Sequence, residues 1–174
     1  DIVAKSKPDG YTILSADNAV LAFNEHLFSK LPFSPEKDFT YIGAIGKFPL
    51  ALVVHPDFPA KNFKDFLAYV KANPGKVNYA SPGNGSPHHL AMEMFKVRTG
   101  TFITHIPYRG AGPALQDLIA GQVDMMFDGL GSSAQHIRNG RVKALAVAAE
   151  RPAPGFPNIP TTVQAGVPSY QVAT

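Results

Sequence analysis

A regular alternation of strand-like and helix-like segments between residues 62 and 149 limits the possible folds more than any other feature of the chain. Asn62 is placed to cap a helix in which Phe63, Phe66, Leu67 and Val70 recur at helical spacing, and Asn73-Pro74-Gly75 ends it. A strand over 77–80 leads into Ser81-Pro82-Gly83-Asn84-Gly85 and then a helix over 87–99, with Ser86 as N-cap, Pro87 in its first turn and Gly100 as its stop. The pattern continues with a strand over 102–106, a helix opened by Pro113 and stopped by Gly121, and a strand over 123–127. A short helix over 133–139, ended by Gly140, precedes a last strand over 142–149. Such alternation predicts βαβ units in an α/β fold with a mostly parallel sheet.

Ligands of such sheets bind beyond the carboxyl ends of the strands. Three loops leave strands at that edge, over 81–86, 107–112 and 128–132, and all run into helix starts. Free backbone N–H groups and the positive end of a helix dipole favour a carboxylate or phosphate there. Arg109, between Tyr108 and Gly110, suits a carboxylate through its guanidinium, or is a solvated surface side chain. Asp128 is placed to accept a hydrogen bond from a ligand amine or hydroxyl, or to cap its own loop.

Upstream, Pro8-Asp9-Gly10 marks a turn, followed by a predicted strand over 11–15 and a helix over about 20–28 capped by Asp17 or Asn18. A second strand is predicted over 39–45, and the apolar run over 50–55 reads as a strand buried on both faces. The 174 residues allow one large domain or two small lobes. Sixteen prolines and fifteen glycines point to many short elements, and a charge of +3 without a basic run gives no sign of a nucleic-acid groove. No stretch approaches the ~20 apolar residues of a membrane span. With zero cysteines, disulfides and thiolate chemistry are excluded.

Ser81, Ser86, His88, His89, His105, Asp124 and Asp128 supply the residue types of a nucleophilic triad, so a Ser/His hydrolase using Ser86 or Ser81 stays an alternative. The G-x-S-x-G elbow is absent, and Ser86 is better used as a cap. His89 and Glu93 share a helical face, but H-E-x-x-H is missing, and no phosphate-loop or dinucleotide fingerprint occurs. Neither a metal nor a cofactor is expected.

Several segments resemble the Bug family of bacterial periplasmic solute-binding proteins, the TctC-like tripartite tricarboxylate receptors. They include Lys7-Pro8-Asp9-Gly10-Tyr11-Thr12-Ile13-Leu14, Asn73-Pro74-Gly75-Lys76-Val77-Asn78-Tyr79-Ala80-Ser81-Pro82-Gly83, and Gly85-Ser86 with His89-Leu90-Ala91. Further matches are Ile106-Pro107-Tyr108-Arg109-Gly110 with Pro113-Ala114-Leu115, Gly121-Gln122-Val123, Ala144-Leu145-Ala146-Val147, and Pro160-Thr161 with Gln164-Ala165-Gly166. They run in order over nearly the whole chain.

The resemblance implies a type II periplasmic-binding-protein-like α/β fold of two lobes, and a non-catalytic receptor. It implies residues 1–52 in lobe one, 53–148 in lobe two, a return to lobe one over 149–174, and hinge strands over 50–55 and 145–149. It also implies a further N-terminal strand and glycine-rich loop and a continuation past Thr174. Lobe one is therefore expected to be incomplete, with edges that favour self-association. The implied ligand is a small carboxylate (a di- or tricarboxylate, an acidic amino acid or an aromatic acid), handed in the periplasm to membrane transporter subunits. The matching binding positions are Ser81, Gly83, Asn84, Gly85, Ser86 and His89, with Tyr108, Arg109, Gly110 and Asp128 nearby. Ser15 and Asn18 complete the set from lobe one.

Overall fold

Leu50 to Val54 form β1 (Leu50–Val54), and every one of its side chains is 0% exposed. Leu52 and Val54 pack on one face of the sheet with Phe66, Phe95 and Tyr79, while Ala51 and Val53 pack on the other with Leu115, Leu118 and Met126. Helices on both faces, rather than parallel pairing, explain the uninterrupted apolar run. In the computed structural model, which describes residues 1–174, β1 is antiparallel to both of its neighbours.

The remaining strands are β2 (Asn78–Ser81), β3 (Thr104–Pro107), β4 (Met125–Gly129) and β5 (Lys143–Val147). Their order is β3-β2-β4-β1-β5. Because β2 is parallel to β3 and β4, and β1 opposes β4 and β5, all the strands but β1 point the same way. The expected mostly parallel sheet is thus present with one reversal, β1, that makes it mixed. A run buried on both faces fits either direction, so the sequence pattern could not reveal the reversal.

Local chemistry sets the helices. Asn62 accepts from the Asp65 N–H at 2.9 Å and starts α3 (Phe63–Ala72), which buries Phe63, Phe66 and Val70. Ser86 caps α4 (Pro87–Thr99), and Gly100, at φ +63°, closes it in the left-handed conformation that costs other residues most. The other face carries α5 (Ala111–Ile119) and α6 (Leu130–Arg138), with Leu115, Leu118 and Ile137 toward the sheet. After β5 the chain folds back over the α4 side. Tyr170 is buried there, and its hydroxyl donates to the Ala91 carbonyl at 2.6 Å.

The chain divides into the units Asp1–Lys47 and Phe48–Thr174, a division that does not coincide with the boundaries expected at 52/53 and 148/149. In the first unit, Asp17 accepts from the Ala19 N–H at 3.0 Å ahead of a π-helical turn (Ala19–Phe23) that runs into α1 (Asn24–Leu27). A single turn, α2 (Pro35–Asp38), follows Ser34. The strands expected over 11–15 and 39–45 are irregular chain instead. A strand persists only when a partner takes its N–H and C=O groups. Tyr11, Ile42 and Ile45 stand 93%, 87% and 83% exposed, with no ladder beside them.

Candidate functional site

β3, β2 and β4 are adjacent and parallel, so their carboxyl ends at Pro107, Ser81 and Gly129 lie on one edge of the sheet. The first two of the loops leaving them are tied together. The Tyr108 N–H donates to the Ser81 carbonyl at 2.9 Å, and the Gly110 N–H to the Pro82 carbonyl at 3.0 Å, extending the ladder beyond the strands. Gly83 sits at φ +144°, and a Cβ there would come 3.4 Å from the Tyr108 carbonyl, so this close approach suits glycine.

Within the 81–86 loop, most backbone donors are already used. The Gly83 N–H donates to Ser81 Oγ at 3.2 Å, the Gly85 N–H to His89 Nδ1 at 3.1 Å, and the Ser86 N–H to the Gly83 carbonyl at 3.3 Å. Ser86 Oγ donates to that same carbonyl at 2.8 Å and accepts from the His89 N–H at 3.3 Å. Gly83, Gly85 and Ser86 therefore shape the loop, whereas Asn84 stands exposed at its tip. The other two helix starts differ: α5 begins at Gly110 and α6 at Gly129, and neither has a side-chain cap. Ala111 and Gly112 in α5, where Pro113 carries no N–H, and Leu130 and Gly131 in α6 thus have first-turn amides that no cap side chain meets.

Under the first loop lies a stack of three rings. Tyr79 lies 4.7 Å from His105, and His105 lies 4.3 Å from His89, centroid to centroid. His105 Nε2 is 2.6 Å from Ser81 Oγ, and the Tyr79 hydroxyl donates to Glu93 Oε1 at 2.6 Å. Burial, helped by the neighbouring His89, pulls His105 down to about 4. Burial also lowers His89, against the pull of Glu93. Glu93 resists its own burial, because hydrogen bonds from Lys96 and Tyr79 hold its carboxyl below the usual carboxylate range. His105, Tyr79 and Glu93 were not among the sequence candidates for ligand binding, since contacts across separate elements leave no local pattern.

Asp128 is 0% exposed, accepts from Ser132 Oγ at 2.8 Å, and leaves its Oδ1 buried without a hydrogen-bond partner. Burial raises its pKa, opposed by Ser132, the Gly129 backbone, Ser133 and His136. Tyr108 spends its hydroxyl on Asp117 Oδ2 at 2.7 Å; burial and that carboxylate push it up to about 12. Arg109 is exposed on the same edge and forms no ion pair. Ser15 and Asn18 lie in the first unit and are exposed there, Ser15 in irregular chain and Asn18 at the helix start.

The hydrolase arrangement is not assembled. Ser86 meets only backbone groups, and Ser81, beside His105, is 0% exposed and out of reach of a substrate. No group of three or more His, Asp or Glu residues could hold a metal ion. Clefts of about 350 Å³ beside Leu67, Arg98 and Val167 and about 220 Å³ beside His55 and Asp124 are lined by none of the loop residues. No helix is long and apolar enough to cross a membrane.

The model of the tripartite tricarboxylate transporter family receptors matches residues 1–173. A UPF0065 protein of Bordetella pertussis is 42% identical over 94% of this chain and 50% of its own length. Among solved structures, R. palustris Rpa4515 with adipate superposes with a TM-score of 0.95 at 34% identity, over 99% of this chain and 57% of that one. The periplasmic binding protein BugD gives 0.90 at 34% identity, over 98% and 57%. MatC from Rhodopseudomonas palustris with bound malate gives 0.80 at 35% identity, over 89% and 51%. This chain thus spans about half the length of the relatives it matches. These neighbours are solute-binding receptors rather than enzymes, and the chain belongs to the tripartite tricarboxylate transporter receptor family.

Proposed function

We propose that the protein is a periplasmic receptor for a small carboxylate, most simply a short dicarboxylate, which it delivers to the membrane subunits of a tripartite tricarboxylate-type transporter. The observation that carries this reading is the pair of uncapped helix starts at Gly110 and Gly129, set on one sheet edge beside the tied loops of β2 and β3. Each offers N–H donors and a positive dipole end to a carboxylate oxygen. Asn84 and Arg109, exposed on the same edge, add an amide and a charge that meets carboxylates well. Adipate and malate in the structures of two relatives support the ligand class. Ser81, Gly83, Gly85, Ser86 and Tyr108 act here through loop shape.

Gly129→Asp tests this assignment. Gly129 has extended backbone, and a Cβ there meets Ser132 Oγ at an ordinary 3.7 Å, so the substitution fits and supplies α6 with its missing cap. The tethered carboxylate should occupy the donors meant for the ligand. Calorimetric affinity for adipate and malate is expected to fall at least about tenfold, with stability unchanged or raised by up to about 1 kcal/mol. Unchanged affinity would exclude the α6 start from the site.

A further inference from the structure

We propose that His89 is a positioning residue: a neutral imidazole that holds the Gly85 amide inward, fixes the shape of the 81–86 loop, and releases the loop when it is protonated. This inference rests on the carboxylate reading given above.

The geometry leaves the anchor little freedom. The Gly85 N–H points at His89 Nδ1, 3.1 Å away. Only a ring nitrogen with a free lone pair accepts from an N–H, so Nδ1 is bare and the ring proton sits on Nε2. A second proton on Nδ1 would turn acceptor into donor and set it against another donor. Gly85 is buried at φ +78°, and its N–H has no other partner once this bond is lost.

The imidazole cannot easily swing aside. His89 lies face to face with His105, and His105 with Tyr79, whose hydroxyl is pinned to Glu93. His105 also meets Ser81 Oγ at the foot of the same loop, so both ends of the loop rest on the stack. The groups facing His89 are Glu93 and Lys96 from α4, His105 from β3, and Tyr79 behind His105 from β2. Glu93 favours the charged ring, while burial and Lys96 oppose it and prevail, keeping the ring neutral below the ordinary histidine range. The loop is thus held at neutral pH and let go in acid, and His89 works through Gly85 rather than as a direct contact to the ligand.

The test has an arm without ligand and an arm with it. In the ¹⁵N-labelled, ligand-free protein, imidazole and amide resonances are followed from about pH 7.5 down through and below the ordinary histidine value of about 6.5, to the acid limit of the folded state. The expected result is an unprotonated Nδ1 on His89 at neutral pH, with the Asn84 and Gly85 amides shifting together with the ring as it titrates. In calorimetry with adipate at neutral pH, His89→Phe, which keeps a ring on His105 and removes the acceptor, should bind about fivefold more weakly, the equivalent of one hydrogen bond of about 1 kcal/mol. His89→Asn places an amide oxygen near the Nδ1 position and should recover most of that loss. The ratio of wild-type to His89→Asn affinity should then fall in acid; the ligand's own titration cancels in this ratio. A protonated Nδ1 at neutral pH, Gly85 indifferent to the ring's titration, or full affinity in His89→Phe would each overturn the proposal. If Gly85 follows His89 but neither protein binds a dicarboxylate, the anchor stands and the receptor function proposed above falls.

Discussion

At Tyr79 a buried hydroxyl and the Glu93 carboxylate meet at 2.6 Å, with Lys96 Nζ 2.7 Å from the same Oε1. Hydrogen bonds to a charged group contribute more than neutral ones, so Tyr79→Phe should cost about 2 kcal/mol at neutral pH. The carboxyl of Glu93 lies below its ordinary value, and its bonds stabilise the fold only while it is ionised. That contribution is complete above the unfolded carboxyl's pKa and is lost as the pH falls through the lowered folded value. Urea denaturation of both proteins should show the full difference near neutrality and a shrinking one below about pH 4. A difference that persists in strong acid would show that the hydroxyl, not the ionised pair, carries the effect. Burial also raises Tyr79 itself, helped by Glu93, so its hydroxyl stays a donor throughout.

At the scale of elements, α4 joins the layers. Phe95 is fully buried, with ring centroids 6.0 Å from Phe63, 6.1 Å from Phe66, 6.2 Å from Phe127 and 6.0 Å from Tyr170. Phe95→Ala should therefore cost about 3–5 kcal/mol in denaturant, among the larger losses available to the fold. A loss under about 1 kcal/mol would mean the neighbours collapse into the space. The helices were legible in the sequence because their causes are local: Asn62 and Ser86 as caps, Gly100 as stop, and Phe63, Phe66 and Val70 at helical spacing. The direction of β1 was not legible, nor was the meeting of Ser81 with His105, which spans 24 residues of chain and depends on β2 lying beside β3. The loops of the candidate site were legible by their glycines, whereas the hydrogen bonds inside them were not. The amides of Gly83 and Ser86 bond within the loop and that of Gly85 to His89 on α4, whereas the helix starts after Gly110 and Gly129 have no side-chain cap.

For the whole molecule, the two units differ in how they treat apolar surface. The second packs a layer of apolar side chains on each face of its sheet, whereas the first leaves Tyr11, Ile13, Ile42 and Ile45 largely exposed. The predicted strands at those positions failed for lack of a pairing partner. Chain segments with exposed apolar side chains and no pairing partner for their backbone favour association. We propose that the protein self-associates through them, so that in sedimentation velocity its average mass rises with concentration. The Ile13→Lys/Ile42→Lys double variant should remain a monomer, and a wild-type protein monomeric at every concentration would contradict the proposal.

The proposed carboxylate site is tested most directly by an amide NMR titration of the labelled protein with adipate, using the neutral diamide of the same chain length as control. Saturable shifts are expected at Asn84 and over 108–112 and 129–132, with no such shifts from the diamide. Unmoved amides at those positions, or shifts confined to the cleft beside Leu67, Arg98 and Val167, would contradict a carboxylate site on this edge of the sheet.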